Sequence, residues 1–289
     1  VTGSVTDRRV VRSLLAEAGV RPSKRLGQSF LVDPAVLADV EEHVTRTSPK
    51  TILEIGAGLG AVTEVLLRCG RAIVAVEVDH RLAELLERRL RGQHQLTVVR
   101  EDVLELDLDS AIGEEPAYVV GSLPYRITAP ILKWLVDRRV RFTGALLITQ
   151  REVAEKIAAS PGKEGTAFGV LVRAYADVEP IRRVGRGSFF PVPEVDSTLW
   201  SLTFRGRARF GSDPETFFAV VRALYGTRRK MIRGALRTLL PSHAIGPVLE
   251  AARIDGTARG EELGFDELDR LAAAVAPYVD APDRPIRRP

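Results

Sequence analysis

Cysteine is nearly absent: Cys69 is the only one, so no disulfide can form within the chain and a thiolate-rich metal site is excluded. Histidine is scarce as well. His43, His80, His94 and His243 are scattered without the short spacings of metal ligands, so no metal is expected. No apolar run approaches the roughly 20 residues needed to cross a bilayer, and Val1 to Arg9 lacks the basic-then-apolar pattern of a secretory signal. There is no internal repeat and no broad stretch of low complexity. A strong excess of one charge is missing too: 42 Lys and Arg face 38 Asp and Glu, and so small an imbalance does not by itself identify a nucleic-acid partner. What remains is a globular protein of a reducing compartment, expected in the cytoplasm and away from membranes. Its 289 residues suffice for one or two cored domains.

Apolar periodicity divides the chain. After a loose start, Val1 to Asp7, a short helix is expected over Val10 to Ala18, then a basic loop from Arg21 to Phe30. Pro34 opens a helix, with Asp33 as its N-cap. Short apolar strands at 51–55, 72–77, 96–99, 118–120 and 145–148 then alternate with helical segments at 62–67, 81–90 and 130–136. That alternation predicts a mostly parallel sheet covered on both faces. Val170 to Ala174 and Thr198 to Phe204 read as further strands finishing the sheet, and Arg205 to Pro214, rich in turn formers, as a linker. Only helical patterns follow: 214–225, 228–239, 244–252 and 265–275. The expected organisation is therefore an α/β, Rossmann-like domain over 1–206, an all-helical domain over 207–278, and a disordered Pro- and Arg-rich tail at 279–289.

Glu54-Ile-Gly-Ala-Gly-Leu-Gly60 stands where the first of those strands turns into a helix. Glycines there let the backbone approach a ligand closely, and the helix start supplies unpaired N–H groups. Such a loop alone serves NAD, flavin and S-adenosylmethionine enzymes alike. Its context narrows the choice. Glu77 ends the second strand, placed to accept from ribose hydroxyls, and Asp102 follows the third, placed to accept from an adenine amine. The spacing is G-x-G-x-G, without the last glycine step that a pyrophosphate prefers. Glu54 just before it would repel phosphates but suits the cationic methionine portion of S-adenosylmethionine.

Gly121-Ser-Leu-Pro-Tyr125 follows the fourth strand, at the same sheet edge. Methyl transfer to an amine needs little acid–base chemistry, because a sulfonium is a good leaving group. Orientation is harder, since the amine's lone pair is delocalised into the purine. Pro124 stiffens this loop and should leave nearby carbonyls free to accept the amine's hydrogens, while Tyr125 offers a face on which an unstacked base can lie.

At this point the motifs resemble one family. Lys24-Arg-Leu-Gly-Gln-Ser-Phe-Leu31, Leu53-Glu-Ile-Gly-Ala-Gly58, Val76-Glu-Val-Asp79, Glu101-Asp-Val103 and Ser122-Leu-Pro-Tyr125 come first. Phe189-Phe-Pro-Val-Pro-Glu-Val-Asp-Ser197 and Arg228-Arg-Lys-Met-Ile-Arg-Gly-Ala-Leu236 follow. In this order they resemble the KsgA/Dim ribosomal RNA adenine dimethyltransferases, relatives of the Erm enzymes, over about residues 21–274. The resemblance implies a class I S-adenosylmethionine-dependent methyltransferase domain with a small C-terminal helical domain. It implies cofactor contacts at Gln28, Ser29, Leu31, Glu54, Gly56, Gly58, Glu77, Asp102 and Ser122, and a base held by Ser122, Leu123, Pro124 and Tyr125 with Phe189 nearby. It further implies that two neighbouring adenosines in a hairpin near the 3′ end of small-subunit RNA are dimethylated within a pre-30S particle. A monomer is expected.

This chain has Ser29 and Ser122 where the family usually has asparagine. Serine also accepts a hydrogen bond, but its reach is shorter by about one bond length, so slower or partial methylation is expected from Ser122. Phe168 and Gly226-Thr227 depart more mildly. Arg21, Lys24 and Arg25, and Arg228, Arg229, Lys230, Arg233 and Arg237, are the expected RNA contacts; 229, 233 and 237 would share one face of a continuous helix. Arg182, Arg183 and Arg186, flanking the Phe189 motif, would help steer RNA toward the pocket. Two alternatives remain: an Erm-like methyltransferase of large-subunit RNA, and an assembly factor that binds ribosomal particles with little or no methylation.

Overall fold

The computed structural model describes residues 4–23, 27–124, 127–227 and 229–279. They pack as two units, one of residues 4–154 with 177–204, the other of 155–176 with 205–279.

The first unit is built on a seven-stranded sheet. Its parallel strands are β2 (Thr51–Ile55), β3 (Ala72–Val76), β4 (Leu96–Val99), β5 (Ala117–Ser122) and β6 (Phe142–Gln150), and β9 (Ser197–Phe204) and β7 (Ala176–Val184) complete it in the order β4-β3-β2-β5-β6-β9-β7. Strand order reverses between β2 and β5, and open α/β sheets bind ligands at such a switch point. Helix α2 (Pro34–Thr47) leads into β2, and the crossover helices are α3 (Ala61–Arg68), α4 (His80–Arg89), α5 (Leu108–Ile112) and α6 (Thr128–Asp137). As expected, Asp33 caps α2, its carboxylate accepting from Ala35 N–H, with Pro34 in the first turn. A helix α1 (Arg8–Glu17) buries Val11, Leu14 and Leu15 in a cluster with Leu82 and Leu85 of α4. A two-stranded ribbon pairs β1 (Phe30–Leu31) with β8 (Phe189–Phe190), so the basic-loop motif and the Phe189 motif are hydrogen-bonded neighbours.

The antiparallel end of the sheet is stitched by Trp200 of β9, whose indole N–H donates to the Thr149 hydroxyl of β6 at 3.0 Å. Both side chains are fully buried. A buried indole N–H without an acceptor is costly, which explains a fully buried threonine directly after the apolar run Ala145–Ile148.

The second unit is helical: α8 (Ala167–Tyr175), α9 (Pro214–Gly226), α10 (Ile232–Ala235), α11 (Ser242–Ala252) and α12 (Phe265–Val279) share one apolar core, and the boundary between the units falls within α7 (Arg151–Ala158). Three expectations are corrected here. Residues 170–174 form part of a helix, not a strand. The Thr166 hydroxyl caps it at Gly169 N–H, and Val170 and Val172 are buried, so tertiary packing overrides their β-branched preference. Accordingly, 155–176 belongs with the helical unit and not with the sheet. The 205–214 stretch is not a loose linker: Arg205 and Arg209 N–H bond to the carbonyls of Tyr175 and Ala174, Asp269 accepts from Gly211 and Ser212 N–H, and Phe210 stacks on Phe217 at 4.1 Å. Third, 228–239 is not one helix: α9 ends at Gly226, α10 begins at Ile232, and a 3₁₀ turn covers Leu236–Thr238. The intervening backbone pairs with another segment, through an antiparallel bridge of Met231 with Arg259. The expected tail lies outside the described residues. Among these residues no helix is long and apolar enough to cross a membrane.

Thr149→Val is expected to lower folding stability by roughly 1–3 kcal/mol, because it strands the Trp200 N–H. Equilibrium denaturation measures this, and a loss below about 0.5 kcal/mol would contradict it.

Candidate active site

A cavity of about 210 Å³ opens at the carboxyl edge of β2, β3 and β5, the switch-point edge. Its wall contains Gln28, Ser29 and Leu31, the glycine loop with Glu54, Gly56 and Gly58, then Glu77, Asp102, Ser122 and Pro124. Residues from five separate motifs thus meet in one place, and all nine expected cofactor positions are among them.

The backbone explains how they meet. Gly56 and Gly58 have positive φ of 73° and 55°, and a Cβ on Gly58 would lie 3.1 Å from the Phe30 ring. Gly121 is paired with Ile55, and a Cβ there would sit 2.9 Å from the Ile55 carbonyl oxygen. Glycine at 121 therefore lets β5 run tight against β2, so that Ser122 leaves its strand beside the start of the glycine loop.

Glu77 is 6% exposed, and its carboxylate organises the loop: it accepts from Gly58 N–H at 2.8 Å and from Asp79 N–H at 2.9 Å. The expected role on ribose hydroxyls must share a carboxylate that already orients two backbone amides. Burial raises its pKa, opposed by those two amides. Gln28 connects the basic loop to the same network, accepting from Ser23 N–H and donating to Asp79 at 3.3 Å. Asp102 accepts from Leu104 N–H at 3.0 Å. Ser29 is held by a different partner, donating to the Pro191 carbonyl at 2.6 Å next to the β1–β8 ribbon.

Glu54 is the anomaly. It is 1% exposed, one of its oxygens has no hydrogen-bond partner, and burial, reinforced by the nearby Glu77 carboxylate, pushes its pKa up to about 8. A lone buried carboxylate oxygen in a cavity wall is costly unless a cation or donor meets it. A ligand carrying positive charge beside a nucleoside fits this wall, with Glu54 at the cation and Glu77 and Asp102 left to accept from hydroxyl and amine groups. A dinucleotide pyrophosphate does not fit an acidic loop of this kind.

The target loop brings a correction. The Pro124 carbonyl is not free: it accepts from Ile127 N–H and from the Thr128 hydroxyl, both at 3.1 Å. Both lone pairs are thereby used. Leu123 is buried, and its N–H bonds to the Ile148 carbonyl of β6, which pins the loop to the sheet. Tyr125 lies outside the described residues. Phe189 is 2% exposed and packs in the main apolar core, so its side chain is not in the cavity wall. One wall residue had no signal in the sequence: Val5, read as part of a loose start, is 2% exposed and lines the cavity.

Of the expected RNA contacts, Arg21 is exposed in the first unit and Arg229, Lys230, Arg233 and Arg237 are exposed in the second. Arg229 precedes α10 whereas Arg237 follows it in the 3₁₀ turn, so the helical stripe is replaced by an irregular basic surface. Lys24, Arg25 and Arg228 lie outside the described residues. Arg182 is engaged by Asp39. His43 is a core histidine, bonded to the Tyr118 hydroxyl at 2.8 Å, and no cluster of potential metal ligands occurs among the described residues.

A model of the ribosomal RNA adenine dimethylase family matches residues 20–269. Ribosomal RNA small subunit methyltransferase A of Moorella thermoacetica is 38% identical over 275 residues, covering 91% of this chain and 96% of the relative. The protein of that name in Clostridium acetobutylicum is 35% identical over 268 residues, covering 91% and 97%. Among solved structures, the 23S rRNA methyltransferase ErmE aligns with a TM-score of 0.69 at 27% identity, covering 86% of this chain and 99% of that one. A dimethyladenosine transferase from Plasmodium falciparum shares the fold, with a TM-score of 0.72 at 22% identity over 84% and 95%.

Glu54 dictates a pH signature. Its folded pKa of about 8 lies above its ordinary value of 4.5. Its protonated form therefore supports the fold fully below pH 4.5, and that support is lost as the pH rises through about 8. Glu54→Gln should raise the Tm of the ligand-free protein at pH 8 and leave it nearly unchanged near pH 4.5. A cation in the cavity favours the ionised carboxylate, so binding S-adenosylmethionine at pH 7 should release a proton. Calorimetric enthalpies should then vary with the ionisation enthalpy of the buffer, and Glu54→Gln should abolish the variation. A buffer-independent enthalpy for the parent protein would contradict this assignment.

Proposed function

The chain belongs to the ribosomal RNA adenine dimethylase family, and we propose that it places methyl groups on the N6 amines of two adjacent adenosines in a hairpin near the 3′ end of small-subunit rRNA, within a pre-30S particle. Family membership makes it an S-adenosylmethionine-dependent rRNA adenine methyltransferase. The observation that carries the reading is the shared wall, in which the acidic glycine loop and the Ser122–Pro124 loop line one cavity.

S-adenosylmethionine supplies an electrophilic methyl group on a positively charged sulfur, with a neutral thioether as leaving group. The chain's part is binding and orientation. Glu54 complements the positive charge, and Glu77 and Asp102 accept from the nucleoside. Because the Pro124 carbonyl is committed to Ile127 and Thr128, the amine's hydrogens fall to the Ser122 hydroxyl and the Leu123 carbonyl. Holding both hydrogens turns the nitrogen lone pair out of conjugation and toward the methyl group, an orientational effect worth several orders of magnitude in rate. The proton lost from nitrogen passes to solvent. The exposed basic residues of the helical unit bind phosphate, which supplies affinity and position but little sequence choice. A monomer suffices, since one chain supplies every group used.

Transfer of labelled methyl from S-adenosylmethionine to unmethylated small subunits tests the reaction. Dimethyladenine is expected, and particle binding without transfer would instead favour an assembly factor. Ser122→Asn should increase the rate of incorporation, up to roughly a hundredfold if serine's shorter reach misplaces the amine; an unchanged or lower rate would refute that role. Neutralising Arg229, Lys230, Arg233 and Arg237 together should lower the salt dependence of particle binding by about three to four in log–log slope. A slope equal to the parent's would remove these residues from the RNA contact.

A further inference from the structure

The segment that carries the Phe189 motif is gripped at each residue from 187 to 191 by parts of the chain that precede the glycine loop. Arg8 of α1 donates to the Gly187 carbonyl at 2.6 Å. The Ser188 carbonyl accepts from Val32 N–H at 2.8 Å, and its hydroxyl donates to Asp33 at 2.6 Å. Phe189 and Phe190 pair with Leu31 and Phe30, and the Arg12 guanidinium lies 5.1 Å from the centre of the Phe190 ring. The last hold is the Ser29 hydroxyl, which donates to the Pro191 carbonyl.

Beyond Pro191 the chain leaves the ribbon. Val192 and Val195 are 52% and 44% exposed. The loop closes at Asp196, whose carboxylate accepts from Arg186 N–H and whose carbonyl accepts from Arg151 N–H, both at 3.0 Å. Residues 191–195 are thus a short span between two anchors, stiffened by Pro191 and Pro193. Two apolar side chains held out by one stiff loop offer cover to an unstacked base, whose faces are apolar.

Ser29 ties that loop to the donor side of the site. It lines the cofactor cavity, whereas residues 191–195 do not. A serine hydroxyl has one hydrogen to donate, and here Pro191 receives it. We propose that Ser29 is a positioning residue for the methyl acceptor, fixing the near end of the 191–195 loop so that the loop holds the unstacked adenine in line with the methyl group. This assigns the Ser29 side chain to the acceptor and not to the cofactor, and it rests on small-subunit RNA being the acceptor. The holds at 187–190 remain when the hydroxyl is removed, so its loss frees the loop and leaves the ribbon and the fold in place.

The test is single-turnover transfer of labelled methyl by the full chain to unmethylated small subunits, with cofactor and particles saturating. Calorimetric binding of S-adenosylmethionine to the protein alone accompanies it. Ser29→Ala should slow transfer roughly tenfold, the effect of one lost orienting hydrogen bond, while keeping the parent's cofactor affinity and Tm. Ser29→Thr retains the hydroxyl and should transfer within about twofold of the parent rate. Val192→Gly loosens the same loop without touching the cavity wall, and should also slow transfer roughly tenfold. Weakened cofactor affinity in Ser29→Ala, with transfer at saturation equal to the parent's, would make Ser29 a cofactor contact and overturn the inference. Parent-like transfer by Val192→Gly would overturn it too. A parent protein that binds the cofactor but methylates no particle would instead defeat the reading of the acceptor, and the inference would fall with it.

Discussion

Two strands that reverse the order of the sheet lie against each other without a side chain between their ends, and the site depends on that contact. Gly121 meets Ile55 so closely that a single methyl group would collide with the carbonyl oxygen. Everything chemical follows from the proximity this allows. The end of β2 carries the acidic Glu54 and the loop after it positive-φ glycines, the end of β5 carries the Ser122 hydroxyl and the loop after it a proline, and all of these line the same cavity. Methyl transfer demands that donor and acceptor share a small volume in a fixed orientation, and adjacent parallel strands deliver two loops to one edge.

Electrostatics then select the donor. Glu54 is buried with an unpaired oxygen, and Glu77 already holds two backbone amides. The ligand-free site is therefore poised around a carboxyl group that prefers its proton until positive charge arrives. The same acidity that discourages a pyrophosphate favours a sulfonium. The second unit has the opposite sign at its surface, where Arg229, Lys230, Arg233 and Arg237 are exposed. The contribution we propose for it is to hold RNA, a task that tolerates irregular backbone because phosphates are recognised by charge and spacing.

Much of this was legible in the residues themselves. The five parallel strands follow from short apolar runs punctuated by turn formers, and the cavity wall follows from acids placed after successive strands. Three features were not legible, each for a physical reason. Val170 and Val172 look like strand residues because they are β-branched, but both are buried in a capped helix, Val170 in the helical core, and that decides otherwise. The stretch from Arg229 to Arg237 has helical spacing, yet its backbone finds partners at 256–259, a pairing that no local pattern encodes. The Pro124 carbonyl looked available until the start of α6 supplied two donors to it. Long-range contacts decided the first two and the local start of α6 the third, whereas the site's own residues sit in contiguous motifs whose chemistry can be read locally.

Mass spectrometry of small-subunit rRNA, from cells with the gene for this chain intact and from cells lacking it, tests the central claim most directly. Two adjacent N6,N6-dimethyladenosines near the 3′ end should be present in the first and absent in the second, and should return when the gene is restored. Identical methylation in both strains would contradict the account.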